Sequence, residues 1–211
     1  MQPLRDPRAF LLIVVWLAAL VAQIRTSVFD TVVLGWLYAG TSPALVVAGS
    51  LVTALGGWKV LVPVTLGGVF LLWRRGTGRH ARYLLAFAFW GRVVVDLVKL
   101  MIARLRPDEM PQLAETFSAS FPSGHAANST ITYCAIALLL APGRRWALGL
   151  ALALAAVIGL SRLLLGVHWP SDVVGGWALG LLWTLALHRL VGQEGTPAPS
   201  LSLKTRKESE T

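Results

Sequence analysis

Long apolar blocks separated by short connectors constrain this chain more than any other feature. Six of them run over about 8–23, 58–73, 83–102, 124–140, 146–164 and 172–190. A stretch of roughly 18 apolar residues is long enough to cross the hydrocarbon core of a bilayer as a helix. Irregular backbone exposed to lipid is not tolerated there. The predicted fold is therefore all-α: a polytopic membrane protein with six transmembrane helices. Composition agrees, since 55% of the 211 residues are hydrophobic and only 14% charged, where a soluble domain carries about a quarter. Residues 42–54 are apolar but short and rich in Gly and Ala, which predicts an interfacial or re-entrant helix. Three parts follow: 1–54, a first transmembrane helix and interfacial segment; 55–190, the core; and 191–211, a disordered cytoplasmic tail of Pro, Ser, Lys and Glu. Arg5 and Arg8 followed by an apolar run imitate a secretory signal, but no small-x-small cleavage site follows, so the segment reads as a retained helix.

The net charge of +9 does not point to nucleic acid, because the basic residues sit between apolar blocks. That is how membrane proteins fix their orientation. With six spans, Arg5, Arg8, Arg74, Arg75, Arg79, Arg82, Arg144, Arg145, Arg189, Lys204, Arg206 and Lys207 share one side. By the positive-inside rule that side is cytoplasmic, and both termini lie there. Lys99, Arg106 and Arg162 then fall at the opposite face and need another explanation. The single cysteine, Cys134, lies inside an apolar block. It has no partner for an intrachain disulfide and reads as a packed thiol.

Three short segments converge on that opposite face. Lys99 and Arg106 are seven residues apart, about two helical turns, so they are expected to share a helix face that Pro107 ends. Headgroup anchoring is the competing explanation. Pro122-Ser123-Gly124-His125 precedes the fourth block. A Ser-Gly turn entering a helix presents free N–H groups to an anion. Plain capping by Ser123 would explain the same residues. Ser161-Arg162 leads through five residues to His168 and then to Asp172. Asp172 is placed to accept the Nδ1 proton of His168 and leave Nε2 as a nucleophile. The alternative is Asp172 as a helix cap with His168 packed at the interface. Jointly the segments supply two histidines, a carboxylate, three cations and a helix N-terminus, the parts that phosphoryl transfer needs. No carboxylate or Cys cluster is spaced to hold a metal.

These motifs closely resemble those of the type 2 phosphatidic acid phosphatase (PAP2) family, which shares its fold with vanadium-dependent haloperoxidases. The signature is Lys, six residues, Arg-Pro; then Pro-Ser-Gly-His; then Ser-Arg, five residues, His, three residues, Asp. The chain has Lys99 to Arg106-Pro107, Pro122 to His125, and Ser161-Arg162 to His168 to Asp172, complete and in order over roughly 55–190. The resemblance implies a PAP2-type helical bundle of the bacterial membrane lipid phosphatase branch. It implies a phosphohistidine mechanism: His168 attacks phosphorus, Asp172 orients it, and His125 protonates the leaving group. Lys99, Arg106, Ser123, Gly124 and Arg162 would hold the phosphate oxygens, with no metal and no cofactor. Arg104 lies outside the signature and is expected as an additional substrate contact, for a second phosphate. The implied substrate is a lipid phosphate or diphosphate drawn from the bilayer at the outer leaflet: undecaprenyl diphosphate, phosphatidylglycerol phosphate, phosphatidate or a lipid A phosphate. The expected location is the inner (plasma) membrane, with the site on its periplasmic or extracellular side. Two alternatives stay open: a phosphotransferase using the same phosphohistidine, and a non-catalytic membrane binding or transport protein.

The remaining polar residues have structural readings. Arg92 and Asp96 lie at i, i+4 within the third block and are expected to pair, with Asp96 also near Lys99. Asn128-Ser129-Thr130 matches a glycosylation sequon but lies inside a span, so Asn128 is expected beside His125 instead. Gly175 and Gly176 are expected to allow close helix packing. The 108–121 connector, with Asp108, Glu109 and Glu115, reads as a solvated loop rather than a lid.

Overall fold

A computed structural model describes residues 7–22, 28–40 and 42–193, and these are organised entirely as helices and their connectors. The disordered tail is expected from 191, but α8 continues through 191–193; the rest of that tail and the Arg5 position lie outside the described residues. The helices are α1 (Pro7–Ala22), α2 (Val28–Leu37), α3 (Pro43–Ala54), α4 (Trp58–Arg74), α5 (Gly78–Ile102), α6 (Gly124–Leu140), α7 (Arg145–Leu164) and α8 (Pro170–Gln193). Three segments are long and apolar enough to cross a membrane by length and composition: Pro43–Arg74, Arg145–Leu164 and Pro170–Gly192. The second expected block is thus longer than the sequence reading allowed. The segment expected to stand apart as an interfacial helix, α3, leads into α4 through only the 55–57 turn. Helix α2 was not expected at all, since ten residues are too few to register as a block.

The helices without a clear span signature have identifiable reasons. Helix α5 carries Arg79, Arg82, Arg92, Asp96 and Lys99 along its length. Helix α6 is rich in Ser, Thr and Ala because it is the interior helix, packed against α4, α5, α7 and α8. Its hydroxyls satisfy themselves on the preceding turn: Ser129 donates to His125 O and Thr130 to Ala126 O at 2.7 Å. Small residues let the backbones approach, as is usual between helices in lipid. A methyl added at Gly176 would meet the Ser123 carbonyl at 2.7 Å, and one at Gly180 the Ala127 carbonyl at 2.9 Å. At Gly175 it would meet the Phe121 ring. The expected role of this glycine pair in close packing matches these contacts. Interior tryptophans find acceptors across helix pairs, Trp177 on Ala155 O at 3.0 Å and Trp183 on Phe87 O at 2.9 Å.

Two apolar clusters hold the bundle. One, around Leu72, Leu84, Leu139 and Leu187, lies toward the end where α4 meets α5 and α6 meets α7. There Arg75 donates to Leu140 O at 3.0 Å, tying the two connectors together. The other, Leu34, Ala126, Leu163, Trp169 and Val173, lies at the opposite end. At 1.5 Å per residue, α5 separates the two ends by about 37 Å. The Lys99 end of α5 therefore belongs with the second cluster.

Candidate active site

The site is assembled from the connector after α5, the first turn of α6, and the α7–α8 turn. Lys99 lies in the last turn of α5, 6% exposed, with Nζ donating to Ala119 O. The helix stops at Ile102, four residues before Arg106. Ala103 takes a left-handed conformation (φ 49°), and its N–H closes on Lys99 O at 2.9 Å. The expected shared helix face of Lys99 and Arg106 is therefore corrected: Arg106 reaches the site from the connector. The residue before a proline avoids the helical region, which suits Arg106 ahead of Pro107. Arg106 Nε donates to Ser118 O at 2.9 Å, and Nη1 contacts Val167 O and, at 3.3 Å, His168 Nε2.

His168 is 1% exposed on the α7–α8 turn. Its Nδ1 faces Asp172 Oδ2 at 3.4 Å and Ser120 Oγ at 3.3 Å. The Ser120 hydroxyl donates to the same Asp172 oxygen, which also accepts the Trp169 N–H at 2.9 Å. Arginine can only donate, so its contact with Nε2 places the lone pair there and the proton on Nδ1. Burial, followed by the positive charge of Arg106, pushes the imidazole well below its ordinary pKa; Arg162, Lys99 and His125 act in the same direction. Burial likewise lowers the Arg106 guanidinium, opposed by Asp172. His168 is thus a neutral imidazole with its lone pair turned toward cations.

The Pro-Ser-Gly-His turn docks on the same carboxylate residue, with Ser123 N–H donating to Asp172 O at 2.9 Å. Gly124 opens α6, and a methyl there would lie 3.5 Å from Lys99 Cε. His125 lies against the turn between α3 and α4, its Nε2 3.9 Å from the Cβ position of Gly57. Arg162 is 4% exposed, and its Nη1 donates to Thr53 Oγ1 at 2.7 Å. Arg162 Nε and Ser123 Oγ are buried with no hydrogen-bond partner in the protein. Buried donors left unpaired destabilise by the full desolvation of the group. A phosphate at the α6 N-terminus would satisfy both and gain from the helix dipole.

Lys99, Arg106, Arg162, His125 and Asp172 are thus gathered around His168, with Ser123 and Gly124 at the same helix start. Arg104 is the exception. Expected as a substrate contact, it turns instead behind Asp172, donating to Asp172 Oδ1 at 2.6 Å, Ser171 Oγ at 2.7 Å and Asp30 Oδ2 at 2.8 Å. The left-handed turn at Ala103 and the buried acid Asp30 draw it there. Sequence reasoning missed Ser120, Thr53 and Asp30. An isolated acid in an apolar stretch was the available signal for Asp30; Ser120 and Thr53 had none. Arg92 and Asp96 do pair, at 3.6 Å and half-exposed. Besides the Ser118, Ala119 and Ser120 contacts, the 108–121 connector is held by Tyr38 Oη donating to Pro111 O at 2.8 Å and by Leu113 N–H donating to Leu165 O at 3.0 Å. Among the described residues, no three His, Cys, Asp or Glu side chains gather as metal ligands.

Comparison with known proteins gives a consistent picture. Residues 79–195 match the model of the PAP2 superfamily. The phosphatidylglycerophosphatase B of Bacillus subtilis is 35% identical over 139 residues, 62% of this chain and 68% of that protein. A decaprenylphosphoryl-5-phosphoribose phosphatase of Mycobacterium tuberculosis is 41% identical over 128 residues, 59% of this chain and 66% of the relative. The crystal structure of a transmembrane PAP2 type phosphatidylglycerolphosphate phosphatase from Bacillus subtilis superposes with a TM-score of 0.81 at 27% identity, covering 90% of this chain and 98% of that one.

Proposed function

Because this chain belongs to the PAP2 superfamily, we propose that it is a membrane lipid phosphate phosphatase working through a phosphohistidine on His168. The observation that carries this reading is the setting of His168, whose Nδ1 is held by Asp172 and Ser120 while Nε2 faces the Arg106 guanidinium. Nε2 attacks phosphorus as the bond from phosphorus to the lipid oxygen breaks. His125, taking up a proton as the phosphate anion binds beside it, gives that proton to the leaving oxygen. Lys99, Arg106, Arg162, Ser123 Oγ and the N–H groups at Gly124 hold the non-bridging oxygens and stabilise their growing charge. Water, losing its proton to His125, then attacks the phosphohistidine; the N–P bond breaks and inorganic phosphate leaves. The cations take the charge-neutralising role that a metal fills elsewhere, so the reaction needs none.

The substrate class is a phosphate or diphosphate on a lipid. A phosphatidylglycerol phosphate heads the candidates, given the name of the Bacillus relative, with polyprenyl diphosphates and phosphatidate behind it. The lipid enters sideways. An apolar cleft of about 240 Å³ between α4, α5 and α6, lined by Leu61, Val62, Leu66, Phe89 and Asn128, ends one turn from His125. Six spans, built from α1, α4, α5, α6, α7 and α8, put Arg74, Arg75, Arg144 and Arg145 on the cytoplasmic side of the plasma membrane and His168 on the outer side. Residues 1–54 then supply the first span and the interfacial segment, 55–190 the catalytic core, and 191–211 a cytoplasmic tail.

Phosphate release by the purified protein across a panel of lipid phosphates, with EDTA present, tests the reading. His168→Ala should abolish release, and vanadate, a mimic of the five-coordinate phosphorus, should inhibit. Activity near wild type in His168→Ala would overturn the mechanism; loss of activity with EDTA would overturn the metal-free claim.

A further inference from the structure

We propose that Arg104, clamped by Asp30 and Ser171, is a positioning residue that fixes Asp172 behind the histidine. The proposal rests on the phosphohistidine reading of that site. The two oxygens of Asp172 face opposite ways. Oδ2 faces His168 Nδ1, Ser120 and the Trp169 N–H, and Oδ1 accepts from Arg104 Nη1 at 2.6 Å. Arg104 is itself held in two directions. Its Nη2 donates to Asp30 Oδ2 at 2.8 Å, and Nη1 also donates to Ser171 Oγ at 2.7 Å. Ser171 closes the arrangement by donating its N–H to Asp30 Oδ1 at 2.9 Å and its hydroxyl to Oδ2 at 2.7 Å.

Every member is out of water. Asp30 and Asp172 are 0% exposed, and the Arg104 side chain 7%. The guanidinium also packs over the Trp169 ring at 5.6 Å. A planar fork fixed at this many points sets an angle as well as a charge. Turning the Asp172 carboxylate to loosen its hold on Nδ1 would break the bond from Oδ1 to Arg104. A phosphate reaching Arg104 would have to break the same set, which separates this role from a substrate contact.

The charges explain the benefit. The Arg104 guanidinium lies between the Asp30 and Asp172 carboxylates, and Asp172 keeps its other oxygen on the imidazole. Attack on phosphorus makes the imidazole cationic, and the Asp172 carboxylate held against Nδ1 stabilises it. Without Arg104, the water-excluded Asp172 carboxylate would lose the cation on Oδ1, and a buried carboxylate without its cation favours the protonated form. A protonated Asp172 would no longer hold the Nδ1 proton in place. The clamp also explains α2: an apolar ten-residue helix carries one acid, and that acid is buried under the nucleophile's turn.

The test uses the full chain in detergent, with kcat and KM measured on a dispersed lipid phosphate. Arg104→Ala should lower kcat about 10–100-fold, the usual effect of removing the partner that orients a site residue, and leave KM nearly unchanged. Guanidinium added to Arg104→Ala should restore part of kcat, and Arg104→Lys should fall between Ala and wild type. Asp30→Asn should lower kcat in the same sense, by less. A raised KM at constant kcat would make Arg104 a substrate contact and overturn the proposal, as would unchanged kcat or no guanidinium rescue. If Arg104→Ala does not fold, Arg104→Lys and Asp30→Asn decide: wild-type kcat in both overturns the clamp. His168→Ala runs alongside. If it is inactive while the Arg104 variants match wild type, the clamp alone fails; if it stays active, the phosphohistidine reading fails.

Discussion

The two ends of the bundle use the same residue types in opposite ways. Where α4 meets α5 and α6 meets α7, Arg74, Arg75, Arg79, Arg82, Arg144 and Arg145 are all exposed. At the other end Lys99 and Arg162 are buried, Arg106 is half-buried, and the Arg104 side chain is 7% exposed. An exposed cation adds little to stability and is screened by salt. A buried one must recover the hydration it has lost from partners fixed in place. That recovery is visible: Arg104 has two carboxylates, Arg162 has Thr53 Oγ1, Lys99 has Ala119 O, and Arg106 has two backbone carbonyls. A cation count therefore tells nothing about chemistry, whereas cations held out of water at one end do.

Substitutions at matched positions sharpen this contrast. Arg162→Ala or Lys99→Ala should lower kcat/KM by about 10²–10³-fold, the scale for removing one donor to a developing oxyanion. Arg144→Ala and Arg75→Ala, at the other end, should stay within about twofold, as for surface changes that break no buried network. Comparable losses at both ends would show that the cations act through a general field and not through contact.

A pH series gives a moderate effect. Burial holds His168 well below its ordinary pKa, so the imidazole stays neutral and competent below about pH 6.5, the ordinary imidazole value. The kcat/KM profile should show no loss from this group at that pH. Stability runs the other way. Below about pH 6.5 the unfolded chain takes up a proton that the folded histidine refuses, so stability falls as the pH drops. Thermal unfolding followed from pH 8 to 5 checks the sign.

The smallest effect is expected at Ala103. Its φ of 49° is one that L side chains avoid, so Ala103→Gly should raise stability by roughly 0.5–1 kcal/mol with little change in kcat. A large fall in kcat would mean that the left-handed turn also has to be stiff to aim Arg104 and Arg106.

The residues facing the proposed phosphate were legible in the sequence because the chemistry demands particular side chains at close spacing. The layer behind them was not. Asp30 lies 74 positions from Arg104 and 141 from Ser171, and neither periodicity nor short motifs reach that far. The error over Lys99 and Arg106 has a local cause. The helix is ended by an alanine in a glycine-like conformation, and alanine is the strongest helix former, so the sequence there argues against the break that occurs. The all-helical class was legible from the apolar blocks, and the fifth and sixth of them fall on α7 and α8, two of the three segments long and apolar enough to span. Helix α2 was too short to stand out, and the run from α3 into α4 was split by the glycine pair at 56–57.

The contact of α6 with α8 has a further consequence. At Gly176 and Gly180 the obstructing atoms include backbone carbonyls, which cannot swing aside as a side chain can. The turn that carries Ser123 and the helix that carries Asp172 are thus set to a mechanical tolerance smaller than one carbon atom. Gly180→Ala, two turns along α8 from Asp172, would act as a shim between the helices, detuning the aperture of the site without altering any charged or hydrogen-bonding side chain in it.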